Sequence, residues 1–122
     1  MSVVEFSVTT AEVGENAFIV TVTGEADLHS APELDRALHG VLALGGTATV
    51  VDLGDVSFID STGLGVLLRH QRRFQARGGD LVIVTADRRV LRTLEVTGLD
   101  RLFTIEQRLA DGVALLVAPS AS

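Results

Sequence analysis

The stretch "FIDSTGLGVLL", Phe58 to Leu68, brings an acid and two hydroxyls to the mouth of an apolar run. Asp60 stands where a helix N-cap belongs, its carboxylate ready to accept the backbone N–H groups two or three residues on. Ser61 and Thr62 then occupy the first turn with their hydroxyls outward. Beneath them lie unpaired backbone donors and the positive end of the helix dipole, which favour an added negative group by about 0.3–1 kcal/mol. A phosphate on Ser61 would bring about −1.5 to −2 charges and three acceptor oxygens, turning a surface matched to a neutral hydroxyl into a repelling one. Gly63 and Gly65 follow at once. Glycine inside a helix costs about 1 kcal/mol relative to alanine, so something approaches closely here or the backbone bends, and a modifying enzyme gains room at the hydroxyl. Asp-Ser-Thr at this position also reads as a cap and nothing more.

Other chemistries fit less well. A serine hydrolase would need Gly-x-Ser-x-Gly, but Ile59 stands where the first glycine belongs, and Asp27 with His29 would complete a triad only by accident. "GLGVLL" fails the dinucleotide fingerprint because Leu68 holds the third glycine position. All 10 basic residues are arginine. That excludes the lysine of a phosphate-binding loop, a Schiff base and a lysine general base. Without cysteine there is no disulfide, thiolate metal site or thiol nucleophile. His29, His39 and His70 are spread out and form no ligand pair at metal spacing, so no metal or cofactor is expected.

Residues 1–60 carry ten acids against Arg36 alone, and the remainder six acids against nine arginines, for a net charge of −6. That balance argues against a direct nucleic-acid partner. Arg69, Arg72, Arg73 and Arg77 read as the solvated face of an amphipathic helix. Apolar residues make up 47% of the chain, yet no stretch approaches the ~20 residues that span a bilayer. The opening "MSVVEFSVTTAEVGE" lacks the basic start and apolar centre of a secretory signal. The expectation is a cytoplasmic protein with no membrane partner.

The elements that must position these residues follow from periodicity. "VVEFSVTTAE" and "NAFIVTVTG" alternate as strands and form a hairpin. "SAPELDRALHGVLALGG" opens with Ser30 and Glu33 in the pattern of a capping box, places Leu34, Leu38, Val41 and Leu42 on one face, and stops at Gly45-Gly46. "TATVVDL" is a strand and "GDVSF" a turn, after which a second helix runs to about Arg77 with Leu64, Leu67, Leu68 and Phe74 inward. "DLVIVTA" reads as an interior strand near the sheet centre. Asp87 caps a third helix with Val90, Leu91 and Leu94 buried, "LFTIE" is a last strand, and "RLADGVALLVA" is a final helix weakened by Gly112. The order β-β-α-β-α-β-α-β-α predicts an α/β domain over residues 1–118 with a mostly parallel sheet, an antiparallel N-terminal hairpin and about four helices, followed by a flexible tail, 119–122. Parallel strands send their strand-to-helix loops to one sheet edge, so Asp27, Asp60, Ser61 and Asp87 should share one rim.

With "VTGEADLHSAPEL" and "TGLDRLF" beside it, "FIDSTGLGVLL" resembles the bacterial anti-sigma factor antagonists, single-domain members of the STAS superfamily, over nearly the whole chain. The resemblance implies the STAS fold and a non-enzymatic role. A partner anti-sigma factor, itself a serine kinase, would phosphorylate Ser61. The unmodified form would bind that partner and free the sigma factor, and a phosphatase would restore it. The docking residues implied are Glu25, Asp27, Asp60, Ser61, Thr62 and Gly63. Ala26 departs mildly from the family's bulkier residue. Glu25 and Asp27 read equally as a solvated loop and a turn initiator. A STAS scaffold in a stress-sensing complex, or an accessory subunit of a lipid transporter, keeps the same fold and part of the serine motif.

Overall fold

The computed structural model describes residues 4–117. Strands β1 (Ser7–Gly14) and β2 (Ala17–Ala26) pair antiparallel, turning at Glu15–Asn16. Asn16 there has φ 58°, a left-handed conformation that asparagine tolerates. Helix α1 (Ala31–Ala43) crosses to β3 (Ala48–Ile59), α2 (Ser61–Ala76) to β4 (Leu81–Val84), and α3 (Arg88–Val96) with a 3₁₀ turn (Leu99–Arg101) to β5 (Thr104–Glu106). Helix α4 (Leu109–Val117) closes the order. The sheet runs β1-β2-β3-β4-β5, parallel from β2 onward. This is the expected mixed sheet, with β4 paired on both sides and all four of its residues buried. The expected tail, 119–122, lies outside the described residues.

Alternation along the strands separates two cores. Val20, Val22, Val51, Leu53, Leu81 and Ile83 face α1, α2 and α3, which contribute Leu34, Leu38, Leu64, Leu67, Phe74, Val90 and Leu94. Phe74 is wholly enclosed, worth about 1.5–3 kcal/mol relative to exposure. Leu68 and Leu99 pack against this core half-buried. Val50, Val82 and Val84 point the other way, under Leu116 of α4.

One expectation is corrected. "GDVSF" is not a turn: Gly54 and Asp55 are turn-forming residues, but β3 continues through them, pairing Asp55 with Thr23, Phe58 with Glu25 and Ile59 with Ala26. Two register shifts against β2 absorb the irregularity. Gly24 lies at one of them with φ +97°, where a Cβ would sit 3.0 Å from the Phe6 backbone. Gly112, a poor helix former, also lets α4 close on the sheet, since a Cβ there would lie 2.7 Å from Cγ2 of Val84.

Candidate functional site

The start of α2 is built as the sequence predicts. Asp60 is extended, and its Oδ1 accepts the N–H groups of Thr62 and Gly63 at 2.9 and 3.0 Å. Its Oδ2 accepts the N–H of Leu28 at 3.1 Å, and its own N–H donates to the carbonyl of Ala26 at 3.2 Å. One carboxylate therefore caps a helix and ties the loop after β2 to it. Gly63 is buried in this joint: a Cβ would lie 2.6 Å from the Ala26 carbonyl oxygen. Its close neighbour is the β2 backbone, not an incoming enzyme. Gly65 meets nothing within 4 Å. It stands four residues after Ser61, on the same helical face, and leaves open space beside that hydroxyl.

Ser61 is exposed and Thr62 half-buried. The free donors expected beneath them are mostly taken. Thr62 and Gly63 give theirs to Asp60 Oδ1, and Leu64 donates to the Asp60 carbonyl at 3.0 Å. The Ser61 N–H is the first-turn donor left without a partner among the described residues. An anion added at Ser61 would meet an N-terminus already occupied by the Asp60 carboxylate, so its charge would project outward.

The loop before α1 departs from the expected capping box. Ser30 makes no cap bond; its hydroxyl donates to the Glu25 carbonyl at 2.6 Å and accepts from the Asp27 N–H at 2.9 Å. Asp27 takes over, its Oδ1 accepting the N–H groups of His29 and Ser30 at 2.9 and 3.1 Å. The Ser30 N–H bond leads the causes that hold the Asp27 carboxyl below its usual range. The local fold prevails because Asp27 reaches both donors from inside a tight turn, while Ser30 is drawn inward by the end of β2. The turn-initiator role of Asp27 is thus real.

Glu25 is exposed on β2, across from Phe58. Phe58 (48% exposed) and Leu28 (64%) leave apolar surface beside Ser61 that the sequence reading did not single out. Their signal was present, as large apolar residues within polar runs, but only the sheet register shows which way Phe58 faces, and only the loop after β2 leaves Leu28 exposed. A cleft of about 700 Å³ adjoins them, with Phe6, Glu25, Asp27, His29, Glu33 and Arg36 in its wall. Asp27, Asp60 and Ser61 share one corner. Asp87 leaves the same sheet edge but stays apart: β4 pairs with β3 only as far as Asp52–Val84, while β3 continues to Ile59. Its carboxylate caps α3 and grips Arg89 at 2.8 Å.

The arginines of α2 are less free than the sequence suggests. Arg69 meets Asp35 at 3.2 Å, Arg73 meets His39 at 3.2 Å, and Arg77 donates to the carbonyls of Leu42 and Gly46 at 2.8 and 2.9 Å. The pairs advance together along both helices, so α1 and α2 run parallel with a polar seam. His70, deep in that seam, donates from Nε2 to Asp35 Oδ1 over 2.8 Å and lies edge-on to His39 at 5.4 Å between ring centroids. Histidines remote in sequence are neighbours here. Among the described residues no three His, Cys, Asp or Glu side chains converge as a metal ion would require, and no helix is long and apolar enough to cross a membrane.

Fold and site define an α/β domain whose strand-to-helix edge carries a capped, exposed serine between acidic and apolar surface. The chain belongs to the STAS domain family, whose model matches residues 9–112. The anti-sigma-B factor antagonist of Bacillus subtilis is 36% identical over 99 residues, covering 81% of this chain and 90% of that protein. An anti-sigma factor antagonist from Mycobacterium paratuberculosis, solved by crystallography, is 32% identical with a TM-score of 0.79, covering 90% and 94%. The anti-sigma factor antagonist SpoIIAA in its unphosphorylated form shares the fold with a TM-score of 0.79 at 17% identity, over 94% of this chain and 100% of that one.

Proposed function

We propose that this protein is an anti-sigma factor antagonist that works by partner switching, with Ser61 as the modified residue. In its unmodified state it binds a cognate anti-sigma factor and so frees the sigma factor. Glu25, Asp27, Asp60, Ser61, Thr62 and Gly63 form the docking corner, with Leu28 and Phe58 as apolar contacts. The anti-sigma factor is also the kinase, supplying ATP and magnesium. The γ-phosphoryl group passes to Ser61 Oγ, the bond to the ADP bridging oxygen breaks, and the hydroxyl proton goes to a base on the partner. A serine phosphatase hydrolyses the ester with water and resets the cycle. The chain is a substrate rather than a catalyst, and its setting is the cytoplasm.

The observation that carries this reading is the exposed Ser61 hydroxyl beside a helix N-terminus whose Thr62 and Gly63 donors already go to Asp60. The added charge is not absorbed by the protein, and so it falls on the partner. Like-charge or desolvated-charge contacts of this kind cost several kcal/mol. Ser61→Ala should keep binding and lose regulation, while Ser61→Glu should weaken binding at least about tenfold, equivalent to about 1.4 kcal/mol. Asp27→Asn keeps the Oδ1 acceptor of the loop, so it should lower affinity severalfold with little change in Tm. Incubation with ATP and a co-encoded serine kinase, followed by mass spectrometry, locates the phosphate. Equal affinities for wild type, Ser61→Ala and Ser61→Glu would overturn the proposal.

A further inference from the structure

Helix α2 begins at Ser61 and α1 follows the Asp27 turn, so the packing of the two helices sets the shape of the corner. Their seam contains one fully enclosed ionisable side chain, His70, at 0% exposure. Its Nε2 bonds to Asp35 Oδ1 at 2.8 Å, while Nδ1 has no partner among the described residues. A neutral ring with the proton on Nε2 satisfies this geometry, because an unmatched acceptor lone pair is all that is left over. A second proton would create a buried N–H at Nδ1 with nothing to accept it, and such a group is costly in a dry interior.

The charged groups that face His70 are Asp35 and His39 from α1, with Arg73 from its own helix and Arg69 sharing the Asp35 carboxylate. The strand residues of the same core, among them Val22, Val51, Leu53 and Ile83, carry no ionisable group. Asp35 alone would welcome a positive ring, and it is already shared with Arg69. One turn before Asp35, the Ala31 N–H donates to the Asp27 carbonyl at 2.8 Å, and Leu28 is held by Asp60. Movement at Asp35 therefore reaches both helix starts through a rigid helix and two hydrogen bonds.

We propose that Asp35 and His70 are positioning residues for the Ser61 corner: their bond keeps the starts of α1 and α2 aligned, and protonation of His70 at Nδ1 strands a buried N–H that unsettles the packing of the seam around it. This rests on the partner-switching reading only for its consequence, which is weaker docking in mild acid. Burial dominates over the Asp35 bond and keeps the His70 midpoint below the usual 6.5. A depressed midpoint makes stability rise with pH: the seam is intact above 6.5 and gives way as pH falls through the lower, folded value.

The test is an NMR titration of the unbound protein, following the His70 ring and the amides of Leu28, Thr62 and Gly63. These amides should move with the ring at one midpoint below 6.5, and that transition should vanish in His70→Phe. Amides indifferent to the His70 midpoint, or the same transition in His70→Phe, would overturn the proposal. If His70→Phe does not fold, Asp35→Asn keeps the acceptor but removes the anion, and should drive the His70 midpoint lower; an unchanged midpoint counts against it. In parallel, affinity for the cognate anti-sigma factor should fall at least about threefold, or about 0.65 kcal/mol, across the midpoint in wild type and stay flat in His70→Phe. A wild type that binds no anti-sigma factor at neutral pH defeats the partner-switching reading, while the amide titration still decides the role of His70.

Discussion

Gly63 and Gly65 share a helical turn and meet different surroundings. A methyl group at Gly63 would press into the Ala26 carbonyl oxygen at 2.6 Å, which is backbone and cannot step aside. Gly63→Ala should cost about 1–3 kcal/mol, as overpacking does. At Gly65 the space is open, so Gly65→Ala should raise stability by about 0.5–1 kcal/mol through helix propensity alone. Denaturant unfolding of the two variants checks both signs. Gly65→Ala also tests access to Ser61, since phosphorylation at the wild-type rate would show that the open space serves no partner. The cap at Asp60 was legible in the sequence because capping is a local bond, reaching only to Thr62 and Gly63. That Gly63 exists for Ala26, remote in sequence, was not legible, because no local pattern records what a helix start will lie against.

At the scale of elements, Asp87 and Arg89 show how a helix start carries its own pH response. The Arg89 side chain, 2.8 Å away, is the first cause that brings the Asp87 carboxyl down to about 2. A depressed carboxylate contributes stability above its ordinary value of 3.8, and that contribution is lost as pH falls toward about 2. The cap of α3 should therefore persist at about pH 3, where an ordinary aspartate is largely protonated. Arg89→Ala should move the Asp87 midpoint up toward 3.8 in a carboxyl NMR titration. Arg89 is 72% exposed, so high salt should shift the midpoint the same way by screening; a midpoint unmoved by both treatments would assign the shift to the cap bonds instead. The exposed arginine stripe of α2 also gains partners from α1. Arg69, Arg73 and Arg77 repeat every four residues, which a single helix presents as a solvated stripe, whereas their partners Asp35, His39 and the Leu42 carbonyl stand on another helix.

Over the whole molecule, acids concentrate in the first sixty residues and arginines in the rest, with a net charge of −6. The fold brings Glu25, Asp27 and Glu33 to one cleft, with Arg36 in the same wall, while Arg69 and Arg73 are engaged along the helical seam. A partner docking at the acidic edge should associate faster at low ionic strength. Raising salt from about 0.1 M to about 1 M shortens the screening length from about 10 Å to about 3 Å. The association rate should drop, with little change in dissociation. Stopped-flow measurement with the anti-sigma factor reads this directly, and salt-independent association would remove the acidic edge from the docking account.

The sequence by itself determined which segments became helices and strands, the parallel order of the sheet, and the capped serine at the mouth of α2. These rest on periodicity and on hydrogen bonds spanning two or three residues, quantities written along the chain. Tertiary structure alone decided that β3 runs on past Gly54 to Ile59, that Leu28 and Phe58 stay exposed, and that His70 lies sealed against Asp35. Each depends on what a residue meets across the fold, and neither spacing nor composition encodes a neighbour thirty residues away.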